Sequence, residues 1–217
     1  MILSTGRHYL FIHAPKTGGT SMALALEARA MKDDVMLGDT PKAINRRRRL
    51  KDVQTRGRLW KHATLADLDG LVTPQMLAGL FVFTMVRNPW DRLVSYYHWL
   101  RMQRFDHPVV GLAQVLSFHD FALHPQVCAM LRANPAQHYV TDATGAARCD
   151  LFIRLEHMAT DIAPLEAHLG FSLDLPHANR SPRDADYRRY YAPDTQAAVA
   201  EACAEDIARF GYSFDPS

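Results

Sequence analysis

The sequence predicts an α/β fold in a single domain, residues 1–217, with a central, mainly parallel sheet flanked by helices. Three observations predict it. Tyr9-Leu10-Phe11-Ile12, Phe81-Val82-Phe83-Thr84-Met85-Val86 and Leu151-Phe152-Ile153 are short apolar runs of the kind that lie buried on both faces of a sheet. Stretches with helical patterning separate them, and that alternation is what crossover connections between parallel strands require. The 217 residues, 48% apolar and 22% charged, are enough for one sizeable core.

Taken in order, Tyr9 to Ile12 leads into a glycine-containing turn. Thr20 or Ser21 can cap a helix through Met22 to Ala28. Residues 33–58 carry Asp33-Asp34, Gly38-Asp39, Arg46-Arg47-Arg48-Arg49 and Lys51 with weak periodicity, so they are expected to form a mobile loop. Leu59 to His62 reads as a second short strand. Thr73-Pro74 opens a helix, with threonine as cap and proline at its first position.

Phe81 to Val86 is the clearest strand, rich in β-branched and aromatic residues and apolar on both faces apart from Thr84. Arg87-Asn88-Pro89 ends it, and a helix follows through Trp90 to Tyr97. The middle region is helical and broken at Pro108, Pro125 and Pro135. After Leu151-Phe152-Ile153 comes a helix from Met158 to His168, stopped by Gly170. Leu175 to Arg183 reads as a loop. A last helix runs from Asp194 to Phe210, with Val199, Cys203, Ile207 and Phe210 as its apolar stripe and Gly211 as its stop.

Composition narrows the function classes. A net charge of +2 gives no broad field for nucleic acid. Cys128, Cys149 and Cys203 form no CxxC pair or zinc spacing, and read as small apolar residues in a reducing compartment. The start of the chain lacks the pattern of a signal peptide, and no run reaches the ~18 apolar residues of a membrane span. The expectation is a cytoplasmic protein.

The chemistry is carried by His13-Ala14-Pro15-Lys16-Thr17-Gly18-Gly19-Thr20-Ser21, between a strand and a helix. Glycines there let backbone N–H groups curl inward, and the helix N-terminus adds partial positive charge. Lys16 adds a full charge, and Thr17, Thr20 and Ser21 add hydroxyls. That combination fits phosphate or sulfate and makes the fold P-loop-like. A nucleoside-triphosphate P-loop places its lysine after the glycines, GxxxxGK[ST]. Here Lys16 precedes them, and no strand ends in a plain Walker-B carboxylate. A tight structural turn is the plain alternative.

Phe11 to Ser21 resembles the 5′-phosphosulfate loop of the sulfotransferases, in the branch with the heparan sulfate 2-O and HNK-1-type carbohydrate enzymes. Val86-Arg87-Asn88-Pro89-Trp90-Asp91-Arg92-Leu93-Val94-Ser95 resembles that family's 3′-phosphate motif. The tail from Tyr190-Tyr191 to Phe210-Gly211-Tyr212 is also similar. The resemblance implies 3′-phosphoadenosine 5′-phosphosulfate (PAPS) as donor, adenosine 3′,5′-bisphosphate as product, and no metal. It implies that Pro15, Lys16, Thr17, Gly18, Gly19, Thr20 and Ser21 hold the 5′ end, and that Arg87 and Ser95 hold the 3′-phosphate. Ser181 and Arg183 lie in a segment resembling one near the nucleotide; a solvated loop is their other reading.

Sulfuryl transfer needs donor and acceptor oxygens in line and charge stabilised on the leaving phosphate. Lys16 is the candidate for the leaving oxygen. An acceptor hydroxyl also needs a base, and His62, after an expected strand and between the two motifs, is the first candidate. A structural or substrate-contact role is its alternative. His13 reads as a loop-packing residue and Trp90 as either a nucleotide stack or a core residue. Asp91 and Arg92 are expected to pair. Arg46 to Arg49 read as a solvated run or as recognition of an anionic acceptor.

The sequence therefore points to a sulfotransferase acting on a carbohydrate or glycolipid hydroxyl. A P-loop-like kinase and a non-catalytic nucleotide-binding module are the competing readings. A nucleic-acid binder is disfavoured, since the arginine run lacks interleaved aromatics.

Overall fold

The structure, a computed structural model, describes residues 1–176 and 183–215. It divides into two compact units, Met1–Val86 with Ala136–Asn179, and Arg87–Pro135 with Arg180–Ser217.

The first unit is the α/β part. Its five strands are β1 (Ile2–Ser4), β2 (Tyr9–Ile12), β3 (Val35–Met36), β4 (Phe81–Val86) and β5 (Leu151–Arg154), in the order β3-β1-β2-β4-β5. β2, β4 and β5 run parallel, with Leu10 opposite Val82 and Thr84 opposite Phe152. β1 lies antiparallel to both β2 and β3, so the sheet is mixed and not purely parallel. The three expected strands form its parallel part.

Successive side chains of a strand point to opposite faces, and both faces are covered. Leu10, Ile12 and Val82 join one core with Leu65, Leu68 and Val72. Tyr9, Phe11, Phe83 and Met85 join the other with Met22, Leu26 and Leu165. Each such side chain contributes about 1.5–3 kcal/mol by leaving water.

Three helices of this unit are α1 (Gly19–Ala28), α2 (Pro41–Arg47) and α3 (Pro74–Ala78). Thr73 caps α3 as expected, accepting the Met76 N–H. The stretch 33–58, expected as a mobile loop or an irregular excursion, carries secondary structure. It contains β3, α2 and a turn of 3₁₀ helix at Arg48–Leu50. Thr40 caps α2 by accepting the Ala43 N–H, and also donates to Glu27 (2.7 Å). Arg46 and Arg49 tie the end of this helical stretch to backbone carbonyls of 31–34. Leu59 to His62 is a turn, not a strand. The helix expected from Met158 to His168 is two, Met158–Asp161 and Ala163–Leu169, closed by left-handed Gly170.

The second unit is helical. Its longest helix is α4 (Pro89–Arg101), capped by the Asn88 side chain, which accepts the Trp90 N–H. Trp90, Leu93, Val94, Tyr97 and Leu100 recur at helical spacing and bury against Val110, Phe121, Val127 and Val199. Helices Pro108–Val115 and Pro125–Ala133 begin at their prolines, where a missing N–H costs nothing. The last helix is also two, Pro193–Ala202 and Ala204–Phe210, with left-handed Gly211 as the expected stop. Among the described residues no helix is long and apolar enough to cross a membrane.

Candidate functional site

Loop 13–21 and His62 lie in the first unit; Arg87, Ser95 and Arg183 lie in the second. Each set is built within its own unit.

In the first, β2 ends at Ile12 and α1 begins at Gly19, so the loop joins the carboxyl end of a central strand to a helix N-terminus. Such an end is where open α/β sheets bind ligands. Lys16 has φ 64 and Gly18 φ 85. Left-handed residues in such a turn swing successive N–H groups to the concave side and form an anion nest. The helix cap is Gly18 and not Thr20 or Ser21, and it brings no side chain to the first turn.

The two glycines serve different ends. Gly18 takes a left-handed φ, and a Cβ there would also stand 2.7 Å from Leu155 Cδ1. A Cβ on Gly19 would stand 2.2 Å from the His13 ring. Gly19→Ala is therefore expected to destabilise the fold by about 1–3 kcal/mol, read as a lower Tm in thermal melting. Thr17 is buried, and its hydroxyl donates to the Ala14 carbonyl (2.8 Å), holding the loop in shape. Pro15, Lys16, Thr20 and Ser21 are partly exposed on the loop surface.

His13 is buried, stacks on Phe11, and meets the His62 ring edge-on with centroids 4.6 Å apart. Burial pushes its pKa well below 6.5. Its packing role matches the sequence reading, and its backbone adds something the sequence did not indicate. The His13 carbonyl lies 2.8 Å from His62 Nδ1. A carbonyl only accepts, so Nδ1 carries the proton, and in the neutral ring Nε2 holds the basic lone pair. Burial holds the His62 pKa at about 4, with the hydrogen bond that His62 donates to the His13 carbonyl working in the other direction. The ring is thus neutral at physiological pH and already in one tautomer.

The depressed value has a consequence for stability. Between pH 6.5 and about 4 the folded protein binds fewer protons at His62 than the unfolded chain does. Stability is fully present above pH 6.5 and is lost as pH falls through that window. Denaturant midpoints measured across it should decline, and should decline less in a His62→Asn variant.

In the second unit, Asp91 is the organising residue. Arg87 donates to Asp91 Oδ2 from Nε (2.8 Å) and from Nη2 (2.6 Å). Arg183 Nη2 donates to Asp91 Oδ1 (2.5 Å). Asp91 thus holds two arginines, where pairing with Arg92 was expected. Arg183 Nη1 is buried without a partner among the described residues. Ser95, one turn beyond Asp91 on α4, is buried. His98, on the same helix face, has Nε2 buried and unpartnered among the described residues, and burial and Arg183 lower its pKa. Trp90 is a core residue whose indole N–H donates to the Gln196 carbonyl (3.0 Å). Ser181 lies outside the described residues.

The Arg87–Asp91 pair has an i,i+4 spacing, which the sequence reading passed over in favour of Arg92. The Arg183 partnership, across 92 residues, carried no sequence signal. Among the described residues no cluster of His, Cys, Asp and Glu could hold a metal.

A model of the sulfotransferase family matches residues 1–213. Among solved structures, mouse sulfotransferase SULT7A1 complexed with PAP is similar over 93% of this chain and 84% of that one, at 18% identity and a TM-score of 0.48. No curated protein sequence matches.

Proposed function

This chain belongs to the sulfotransferase family, and from that premise we propose that it moves a sulfuryl group from PAPS to a hydroxyl of a carbohydrate or glycolipid. The observation that carries the mechanism is the His62–His13 hydrogen bond. It joins a neutral imidazole of fixed tautomer to the residue that opens the phosphate loop.

His62 Nε2 takes the proton of the acceptor hydroxyl as its oxygen attacks sulfur. The bond from sulfur to the 5′-phosphate oxygen breaks in line, giving a sulfate ester and adenosine 3′,5′-bisphosphate. Lys16 and the amides of the nest stabilise the charge left on that oxygen, with Pro15, Thr17, Gly18, Gly19, Thr20 and Ser21 shaping the cradle. A base of pKa about 4 is weak for this task. Binding of a polyanion beside it favours the imidazolium and raises its pKa toward the working range. The acid limb of turnover is therefore expected above pH 4, with a plateau at neutral pH.

Arg87, Ser95, Arg183 and, in the segment outside the described residues, Ser181 are assigned to the 3′-phosphate. The buried, unpartnered Nη1 of Arg183 supports a missing anionic partner there. Arg87→Ala is expected to remove most of the preference for adenosine 3′,5′-bisphosphate over ADP in thermal-shift titration, since one charge-assisted contact is worth about 1.5–3 kcal/mol.

The chemistry runs without a metal, so transfer of labelled sulfate from PAPS across a panel of glycans and glycolipids should proceed in EDTA. Mg²⁺-dependent consumption of ATP in its place would overturn the assignment. The three cysteines form no disulfide with one another, which is compatible with the cytoplasmic placement we also propose.

A further inference from the structure

The arginine run has no part in the chemistry above, and its structural setting gives it another. Between residues 29 and 51 there are eight Lys and Arg against three Asp. Asp34 is buried and accepts the Met31 N–H, and Asp39 pairs with Lys61. That leaves Asp33 as the exposed, unpaired carboxylate of the stretch among the described residues.

Arg7, Arg46 and Arg49 are all tied to the backbone of residues 29–34. Arg7 Nη2 donates to the Arg29 carbonyl (3.2 Å), and both guanidiniums lie 5.0 Å from the centre of the Phe171 ring. Arg46 donates to the carbonyls of Met31 and Asp34, and Arg49 to that of Lys32. These bonds fix the guanidiniums without neutralising them. Arg47 and Arg48 stand exposed between them. Among these charges Met31 is 41% and Ile44 57% exposed. Ile44, Arg47 and Arg48 share one face of the helical stretch, at i, i+3 and i+4.

This surface lies at the C-terminal end of α1, whereas the phosphate loop feeds its N-terminal end, a helix length of about 15 Å away. That separation argues against contact with the reacting hydroxyl.

We propose that this face docks the protein on an anionic phospholipid bilayer. Clustered guanidiniums match the headgroup charge, and the two exposed apolar side chains among them match the headgroup–acyl boundary. A soluble polyanion would match the charges but give Met31 and Ile44 nothing to bury against. The proposal does not depend on the identity of the donor or the acceptor.

The test is co-sedimentation with vesicles of phosphatidylcholine alone and of phosphatidylcholine mixed with phosphatidylglycerol, at low and high salt, with dextran sulfate as the soluble polyanion. The wild type should bind the mixed vesicles, ignore the neutral ones, and be released by salt. The double substitution Arg47→Glu, Arg48→Glu should weaken vesicle binding at least tenfold, since each charge near such a surface is worth roughly fivefold. Ile44→Ser should weaken vesicle binding while leaving dextran sulfate binding as it was. Unchanged vesicle binding in the double variant overturns the proposal. So does binding of dextran sulfate with no binding of mixed vesicles by the wild type, a result that needs no variant to fold.

Discussion

Replacement of His62 by alanine is expected to lower sulfate transfer by about 10²–10⁴-fold while leaving affinity for adenosine 3′,5′-bisphosphate nearly unchanged. In the proposed mechanism the imidazole removes the acceptor proton and does not hold the nucleotide, so the loss falls on turnover. The substitution is tolerable in folding terms, because His62 is only partly buried and its side chain makes one hydrogen bond, to the His13 carbonyl. His62→Asn is the sharper variant. Its amide can keep the bond to that carbonyl but has no basic nitrogen, so geometry survives and proton removal does not. If His62→Asn turned over at the wild-type rate, the ring would be structural and the base would lie elsewhere.

Lys16→Ala is expected to cost about 10²–10³ in turnover and also to weaken bisphosphate binding, because in the proposed mechanism one cation serves both ground state and transition state. Lys16 sits at φ 64, a conformation that strains a non-glycine residue by about 1–3 kcal/mol. A lysine kept there at that cost is consistent with a charge needed at that point of the nest. Lys16→Gly separates the two effects: it relieves the strain and removes the charge. Raised thermal stability with lost transfer would be the signature of a functional lysine. Raised stability with full transfer would assign the leaving-group role to the nest amides alone.

The contrast between these variants matters more than either loss. His62 is expected to split turnover from nucleotide binding, and Lys16 to couple them. Arg87 is expected to affect the 3′-phosphate preference alone.

The parallel strands and the residue types of the loop were readable in the sequence. The loop from His13 to Ser21 combined lysine, paired glycines and hydroxyls in a few residues, β2 was an unbroken apolar run, and β4 was interrupted only by Thr84. The Thr73-Pro74 start of α3 was also legible as cap then proline. Thr40-Pro41 carries the same signature and begins α2. The sequence reading passed over it, because the high charge and weak periodicity of the stretch suggested a mobile loop. Arg46 and Arg49 find backbone carbonyls of 31–34 as partners, a tertiary fact invisible to local pattern.

β1 was missed because three residues give no periodicity to read. Its antiparallel pairing with β2 rests on a turn whose His8 adopts φ 55. The cap of α1 was misassigned for another reason. Threonine and serine are strong caps, but Gly18 turns the chain into the helix first, which places Thr20 and Ser21 inside its first turn. At the site, residue types were legible and partnerships were not. Nothing local links His62 to the carbonyl of His13, 49 residues away, or Arg183 to Asp91.

The central claim is that the protein selects a nucleotide with separate 5′ and 3′ anionic groups. Calorimetric titration of the wild-type protein in EDTA, with adenosine 3′,5′-bisphosphate and with ADP, tests it most directly. The account predicts that the bisphosphate binds at least about tenfold more tightly, the equivalent of about 1.4 kcal/mol. Equal affinity, or a preference for ADP that appears on adding Mg²⁺, would contradict it.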